Sequence, residues 1–274
     1  MTPEIEDSGN ARPITRRAFL VASAALPLIA TAAGRAGAGT TTIPQTPALG
    51  APTVPAVTAR ARSVSKGPTL DASQAATFVK HGPRTSKVVA LTFHGAGSPV
   101  LAKQVLALTK HLHTPVTIFA VGNWVQANPD LAKTFAADGH ELANHTFSHP
   151  ALRRLNRSAV AAEISGGAEA LRNATGNIGA WFRPSGTPTP TTLMLEEAAK
   201  VGYETVVGYD VDPLDYQDPG SHLLIARTTS AIKSGSIVSL HLGHQGTVDA
   251  LEPIIVEIRR LGLELATVST VLKG

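Results

Sequence analysis

The sequence predicts an α/β protein built on a parallel sheet, and three observations support this fold class. Short apolar runs with strand character alternate with longer segments that have helical spacing. Glycine or proline marks several boundaries between them. The 274-residue chain is 43% hydrophobic, enough to bury the core of one large domain or two small ones. Repeated strand–helix units imply parallel strands, in an open sheet or a barrel, with functional residues at the carboxyl ends of the strands.

The first three predicted elements lie between residues 88 and 119. The apolar run at residues 88–93 has strand character, and residues 116–119 form a second such run. Between them, three leucines and a valine recur at helical spacing, which predicts a helix over residues 100–112.

Proline and glycine bound several of the later helices. Pro129 begins a predicted helix that ends at Gly139, and Gly202 and Gly262 each follow another. The remaining predicted elements are helices at residues 158–175, 193–200 and 248–261, and strands at residues 203–207, 237–240 and 263–267.

Composition and charge exclude several classes of protein. The chain contains no cysteine, which excludes disulfides, cysteine-ligated zinc, iron–sulfur clusters and thiol catalysis. Its formal net charge is +4, but basic and acidic residues are equal in number from residue 67 onward. The positive excess lies in the first 66 residues, so no basic surface for nucleic acid is predicted. A wholly disordered chain and a coiled coil are also excluded.

The first 38 residues are predicted to be an export signal. Arg16 and Arg17 stand directly before an apolar run, and Ala36-Gly37-Ala38 offers a cleavage site. Paired arginines in this position resemble the twin-arginine signal. The run is short for a membrane-spanning helix, which needs about 20 apolar residues, although an uncleaved anchor is the alternative. We therefore expect an exported protein, in the cell wall, periplasm or medium, without a stable membrane span after the signal is removed.

Residues 39–80 are predicted to be a linker, and residues 81–274 the folded domain. The segment from residue 39 to residue 66 is rich in threonine, proline and alanine and has no aromatic residue. Such a segment buries too little surface to order itself. The sequence predicts no particular oligomeric state.

Histidines gather at the predicted strand ends. His94 follows the first strand, and His241 follows the strand at residues 237–240. His145 and His149 are separated by three residues, a spacing that suits one face of a helical turn and the chelation of one divalent ion. Imidazole favours zinc, cobalt, nickel or iron over calcium or magnesium. Surface or hydrogen-bonded histidines are the alternative interpretation.

Charged residues follow two further segments. Arg183 comes just after a short apolar stretch, and Asp210, Asp212 and Asp215 lie close together along the chain. An arginine or a carboxylate beside a histidine would tune its pKa. An arginine–aspartate pair that joins two loops explains these residues equally well.

In their order, these segments resemble the motifs of the polysaccharide deacetylases of the NodB-homology type, carbohydrate esterase family four. The resemblance extends from about residue 87 to residue 272, which is nearly the whole predicted domain. The matching segments are Leu91-Thr92-Phe93-His94-Gly95, residues 139–150, Phe182-Arg183-Pro184, residues 210–216 and residues 235–241.

The resemblance implies a distorted (β/α) barrel that removes N- or O-acetyl groups from amino-sugar polymers such as peptidoglycan or chitin. It implies that His145 and His149 bind a divalent transition metal, with zinc as the first candidate. His241 would be the general acid, and Asp215 would orient it and tune its charge. Arg183 would hold the catalytic base.

The resemblance also suggests the residues that contact substrate. Tyr216 stands where the family has a tryptophan that walls the acetyl pocket. Leu240 is predicted to line that pocket as well, although an apolar residue here is more often part of the core. Ser239 replaces a leucine of the family, and Ser185-Gly186-Thr187 replaces Pro-Tyr-Gly.

His94 and Gly95 depart from the family pattern. The family has two adjacent aspartates here, of which the first is the catalytic base and the second is the third metal ligand. In one alternative His94 is the third ligand, and Asp210, Asp212 or a water chain accepts the proton. In a second, His94 is the base beside a weak two-histidine metal site. In a third, the protein binds glycan without hydrolysing it, and a hydrolase of other carbon–nitrogen bonds is a more distant alternative.

Overall fold

A computed structural model describes residues 75–274. In this range the strands are β1 Thr77–Val79, β2 Val88–Gly95, β3 Thr117–Ala120, β4 Glu141–Asn144, β5 Thr205–Val207, β6 Ile237–His241 and β7 Glu264–Leu265. The helices are α1 Pro99–His111, α2 Gly122–Ala127, α3 Pro129–Ala137, α4 Arg157–Thr175, α5 Thr192–Val201, α6 Ser221–Ala231, α7 Gln245–Arg260 and α8 Val268–Lys273.

The paired strands of the described range run parallel, as the sequence predicts. Strands β4, β3, β2 and β6 lie side by side in that order, β7 pairs with the start of β2, and β1 pairs with β5. Single bridges continue the hydrogen bonding from Asn144 to Phe182, from Phe182 to Val206, and from Val211 to Val238. The parallel α/β fold is confirmed. Between β4 and β5, and beside β6, isolated bridges take the place of continuous strand pairing.

Most of the predicted elements are present, with ends shifted by a few residues. Elements β1, β4, α2, α6 and α8 are not predicted by the sequence. β1 and β4 have three and four residues, and α2 has six residues and begins at a glycine. Runs this short develop no recognisable periodicity.

The folded part begins before residue 81. β1 lies at residues 77–79, inside the range assigned to the linker, and pairs with β5. The predicted export signal and the linker up to residue 74 lie outside the described residues. Among the helices of residues 75–274, none is both long enough and apolar enough to cross a membrane.

The two faces of β2 and β6 differ in chemistry, and this difference positions the site. Phe93 and Leu240 are partners in the register of the two strands and are fully buried in the core that includes the outer helices. Successive side chains of a strand point to opposite faces. His94 and His241 are the next pair in the register. They therefore lie side by side on the opposite face of the strands, away from the core that holds Phe93 and Leu240.

Candidate metal and catalytic site

His94 lies inside β2, one residue before its end, and not after the strand as the sequence predicts. The longer strand aligns it with His241 of β6. The two rings have centroids 4.4 Å apart, and the centroid of His145 lies 4.4 Å from that of His94 on another side. Nε2 of His94 lies 3.1 Å from the hydroxyl of Ser239. His94 is thus the central ring of the cluster.

His145 and His149 lie in the loop after β4, so the predicted helical turn is wrong. His145 directly follows the strand, and Thr146 and His149 have left-handed backbone angles, with φ of 68° and 61°. A helix requires negative φ at each residue. The loop nevertheless brings the two rings to a centroid distance of 4.9 Å.

Helix α4 holds this loop in place through one carboxylate and a glycine. Glu163 Oε2 accepts hydrogen bonds from the backbone N–H groups of Phe147 and Ser148, at 2.9 and 2.8 Å, and Oε1 accepts from the Ser148 hydroxyl at 2.6 Å. One turn later, a Cβ at Gly167 would lie 2.2 Å from Oδ1 of Asn144. The close approach of α4 therefore requires glycine there. Glu163 is not among the predicted site residues, although the two adjacent glycines of α4, Gly166 and Gly167, indicate that another segment approaches the helix closely.

The three imidazoles fit a divalent transition metal. Nδ1 of His145 lies 2.8 Å from the carbonyl oxygen of Arg183 and must donate to it, which leaves a lone pair on Nε2. That Nε2 is buried and has no hydrogen-bond partner among the described residues. One ring nitrogen each from His94, His145 and His149 lies within 4.8 Å of the others. Tetrahedral ligands about 2.0–2.1 Å from zinc lie about 3.4 Å apart, so small side-chain rotations would complete such a site.

His241 forms a buried pair with Asp215 beside this cluster. Nδ1 of His241 lies 2.7 Å from Oδ1 of Asp215, whose side chain is fully buried. Oδ2 of the same carboxylate accepts hydrogen bonds from the His241 N–H and the Thr247 hydroxyl, both at 2.7 Å. The carboxylate fixes the tautomer and orientation of the ring. The acid role of His241 and the orienting role of Asp215, which the resemblance implies, stay predictions.

Arg183 is buried beneath the histidines and bonds to the barrel wall. Its guanidinium donates to the carbonyls of Val207 and Gly208 and to the Thr92 hydroxyl, at 2.9–3.0 Å, and lies 3.8 Å from the centroid of the Phe119 ring. The described residues include no carboxylate in a salt bridge with it. Burial lowers the pKa of Arg183 to about 9, so it remains a cation at neutral pH. Three of its five N–H donors bond to these wall atoms. The contact with a catalytic base that the resemblance implies stays a prediction.

Burial also keeps the clustered histidines neutral. It lowers the pKa of His94 and of His145 well below the ordinary histidine value, and it lowers the pKa of His149. The neighbouring imidazoles and the Arg183 cation act in the same direction on His94 and His145. Neutral imidazole is the form that binds a metal ion.

We expect the metal-free protein to lose stability on acidification. Above the ordinary histidine pKa of 6.5 these rings are neutral in both the folded and the unfolded chain. Below pH 6.5 the unfolded chain binds protons that the folded site does not bind. The free energy of unfolding therefore decreases as the pH is lowered. The slope is at most about 1.4 kcal/mol per pH unit for each histidine. Thermal unfolding in the presence of a chelator should show a midpoint that decreases from pH 7.5 to pH 5.5, about the range these pKa shifts govern. A midpoint that stays constant or increases as the pH is lowered would contradict the conclusion that burial keeps these histidines neutral.

A cavity of about 460 Å³ opens over the cluster. It is lined by His94, His149, His241, Tyr209, Asp212, Tyr216 and residues of the segment 184–188. Tyr216 is 46% exposed, lines this cavity and has its ring centroid 5.4 Å from that of His241. Its predicted contact with an acetyl group stays a prediction. The contact predicted for Leu240 is wrong, because alternation along β6 turns Leu240 into the core when His241 faces the cavity.

The two aspartates offered as proton acceptors differ in their surroundings. Asp210 accepts from Arg84, the Ser236 hydroxyl and the Ile237 N–H, and so joins β6 to the chain before β2. Asp212 lines the cavity, and burial raises its pKa. Only the second is placed to meet a ligand in the cavity.

Comparison with known proteins agrees with this geometry. The family model for polysaccharide deacetylases matches residues 81–206. A peptidoglycan-N-acetylglucosamine deacetylase of Bacillus cereus is 31% identical over 201 residues, which are 70% of this chain and 91% of the relative. The chain belongs to the polysaccharide deacetylase family. The Bacillus subtilis protein YlxY is 30% identical over 201 residues, 73% of this chain, and the match spans 61% of the length of YlxY.

A pseudoenzyme is among the structures that share the fold. The wild-type protein of carbohydrate esterase family 4 from Bacillus anthracis has a TM-score of 0.67 and 23% identity, covering 72% of this chain and 69% of its own. A mutant of it, described as having restored enzymatic activity, has a TM-score of 0.68 and 24% identity, covering 72% of both chains. The same fold is therefore found in a protein described as a pseudoenzyme.

Gly95 leaves no space for the second of the two aspartates that the resemblance implies at positions 94 and 95. A Cβ at this position would lie 2.8 Å from Cγ2 of Ile118 and 2.9 Å from Cα of Ala120. Both atoms belong to the neighbouring strand β3. Of the two positions, only 94 has a side chain that lines the cavity, and that side chain is an imidazole.

Proposed function

We propose that this deacetylase-family protein hydrolyses acetyl groups on amino-sugar polymers, with His94, His145 and His149 holding a divalent transition metal. The observation that supports the proposal is the buried, unpartnered Nε2 of His145 beside two further imidazoles and the His241–Asp215 pair. Three histidines that leave one coordination position open are a sound catalytic zinc site. The bound metal would supply Lewis acidity that makes the acetyl carbonyl a better electrophile.

The protein residues supply proton transfer and orientation. His241, held by Asp215, would donate a proton to the nitrogen or oxygen of the leaving sugar as its bond to the acetyl carbon breaks. The Asp215 carboxylate would hold the ring in the orientation for this transfer. The buried Arg183 cation lies close enough to His94 to affect its pKa and favours negative charge that develops in the cavity. Tyr216 would form one side of the acetyl pocket.

The substrates that fit the proposal are acetylated peptidoglycan and chitin-like chains outside the cell. The predicted export signal would place the protein there. The test is acetate release from acetylated chitooligosaccharides and from peptidoglycan, measured after chelation and again after addition of zinc, cobalt or nickel. Release that requires the metal supports the proposal, and no release with any of the three would contradict it.

A glycan-binding pseudoenzyme is the second candidate, because Arg183 bonds to wall atoms and Gly95 replaces a carboxylate. It predicts retention on insoluble peptidoglycan or chitin without acetate release, and the retention should survive His145→Ala. Loss of retention in that variant would tie glycan binding to the metal site.

A further inference from the structure

The His241–Asp215 pair has a neighbour of the same construction. Asp218 follows Asp215 by three residues across one short 3₁₀ turn, and His244 follows His241 by three residues. Nδ1 of His244 lies 2.9 Å from Oδ1 of Asp218. The chain thus presents two imidazole–carboxylate pairs from the same two segments.

The second pair lies beside the histidine cluster, and His244 lines a different cavity from Tyr216. His244 lines a second cavity of about 430 Å³ that shares His94, His149 and His241 with the first. The ring centroids of His241 and His244 are 5.9 Å apart. The His244 side chain is 27% exposed, so its ring reaches the cavity while Asp218 orients it from the solvent side. Because Nδ1 is used by the carboxylate, the tautomer leaves Nε2 with a free lone pair.

The site lacks a proton acceptor where the family has an aspartate, and most nearby carboxylates are engaged. Asp215 and Glu163 use both oxygens for hydrogen bonds that hold His241 and the loop after β4. Asp210 is bonded to Arg84 and to β6. Asp212 is the remaining carboxylate at the cluster, and it lines the first cavity.

We infer that His244, oriented by Asp218, is the general base of the proposed reaction. Nε2 of His244 takes a proton from the attacking water, directly or through one further water, as the water oxygen bonds to the acetyl carbon. His241 gives a proton to the leaving nitrogen or oxygen as its bond to that carbon breaks. The products are acetic acid, which releases its proton to solvent as acetate, and the free sugar amine or alcohol. The proton held on His244 returns through solvent to His241. This inference rests on the proposed function.

The test compares kcat/KM for acetate release in the wild type with H244Q, D218N, the double variant H244Q/D218N, and D212N. His111→Gln, at the exposed end of α1, is the matched control. H244Q should lose about 100-fold or more, the usual contribution of a general base, with metal content and thermal midpoint unchanged. The double variant should lose no more than H244Q, because the two side chains act as one unit. A structural role would lower the thermal midpoint, which a catalytic role leaves unchanged.

The outcomes separate this inference from the proposed function. If the wild type releases acetate and H244Q stays within about threefold of it, His244 is not the base and the proposed function stands. If only D212N then loses most of its kcat/KM, Asp212 is the group that takes the proton from the attacking water. If the wild type releases no acetate with any metal, both the proposed function and this inference are overturned.

Discussion

Replacing Asp215 with asparagine is expected to reduce kcat/KM for acetate release by about 10²–10⁴-fold, the range over which general acid catalysis contributes. The carboxylate accepts three hydrogen bonds, from the ring of His241, from its backbone N–H and from Thr247. An amide must present its NH₂ group to at least one of these donors. The His241 ring would then lose the orientation that the carboxylate gives it. Steady-state kinetics at saturating metal measure the effect.

Asp130→Asn is the matched control, because its carboxylate on α3 is almost fully exposed. It should leave both kcat/KM and the thermal midpoint unchanged. Metal content should be normal in both variants, since neither residue is among the proposed ligands. Asp215→Asn with activity within about tenfold of the wild type would remove His241 from the role of acid.

Replacing His145 with alanine is expected to weaken metal binding by more than about 100-fold, because even changes to groups around a ligand cost about 10–100-fold. His145 is the most buried of the three proposed ligands, and the carbonyl of Arg183 fixes its orientation. Acetate release should fall to the level of the chelated protein. Isothermal titration with zinc and the acetate assay measure the two effects separately.

His140→Ala is the control for the loss of a buried imidazole. His140 is also buried, but it bonds to Thr109 and to the N–H of Val116, away from the cluster. Its removal should lower the thermal midpoint and leave zinc affinity unchanged. Equal zinc affinity in His145→Ala and the wild type would show that this ring is not a ligand.

Much of the fold follows from the sequence because its strands and helices are long enough to show their periodicity. The run at residues 88–93 and the helices around Pro129 and Gly202 are all present in the structure. The loop that carries His145 and His149 could not be predicted in this way. Its left-handed residues are held by Glu163 and by the contact at Gly167, and both belong to a helix that begins several residues further along the chain.

The site shows a similar division between local pattern and tertiary contact. The convergence of His94 and His241 follows from parallel strands that end at the same level. The burial of Leu240 also follows from strand alternation once His241 faces the cavity. The partners of Arg183 could not be predicted from local pattern, because they are atoms of other strands. They are the carbonyls at the end of β5 and the hydroxyl of Thr92. The pairing of His244 with Asp218 likewise depends on how the segment after β5 meets the start of α7.

Metal analysis of the purified protein and of His94→Ala tests the central claim most directly. The claim is that three imidazoles from two separate segments bind one cation at the carboxyl ends of the strands. After equilibration with zinc and removal of the free ion, the wild type should retain one metal ion per chain and His94→Ala only a small fraction of that. A wild type that retains no metal, or a variant that retains as much as the wild type, would contradict the three-histidine site.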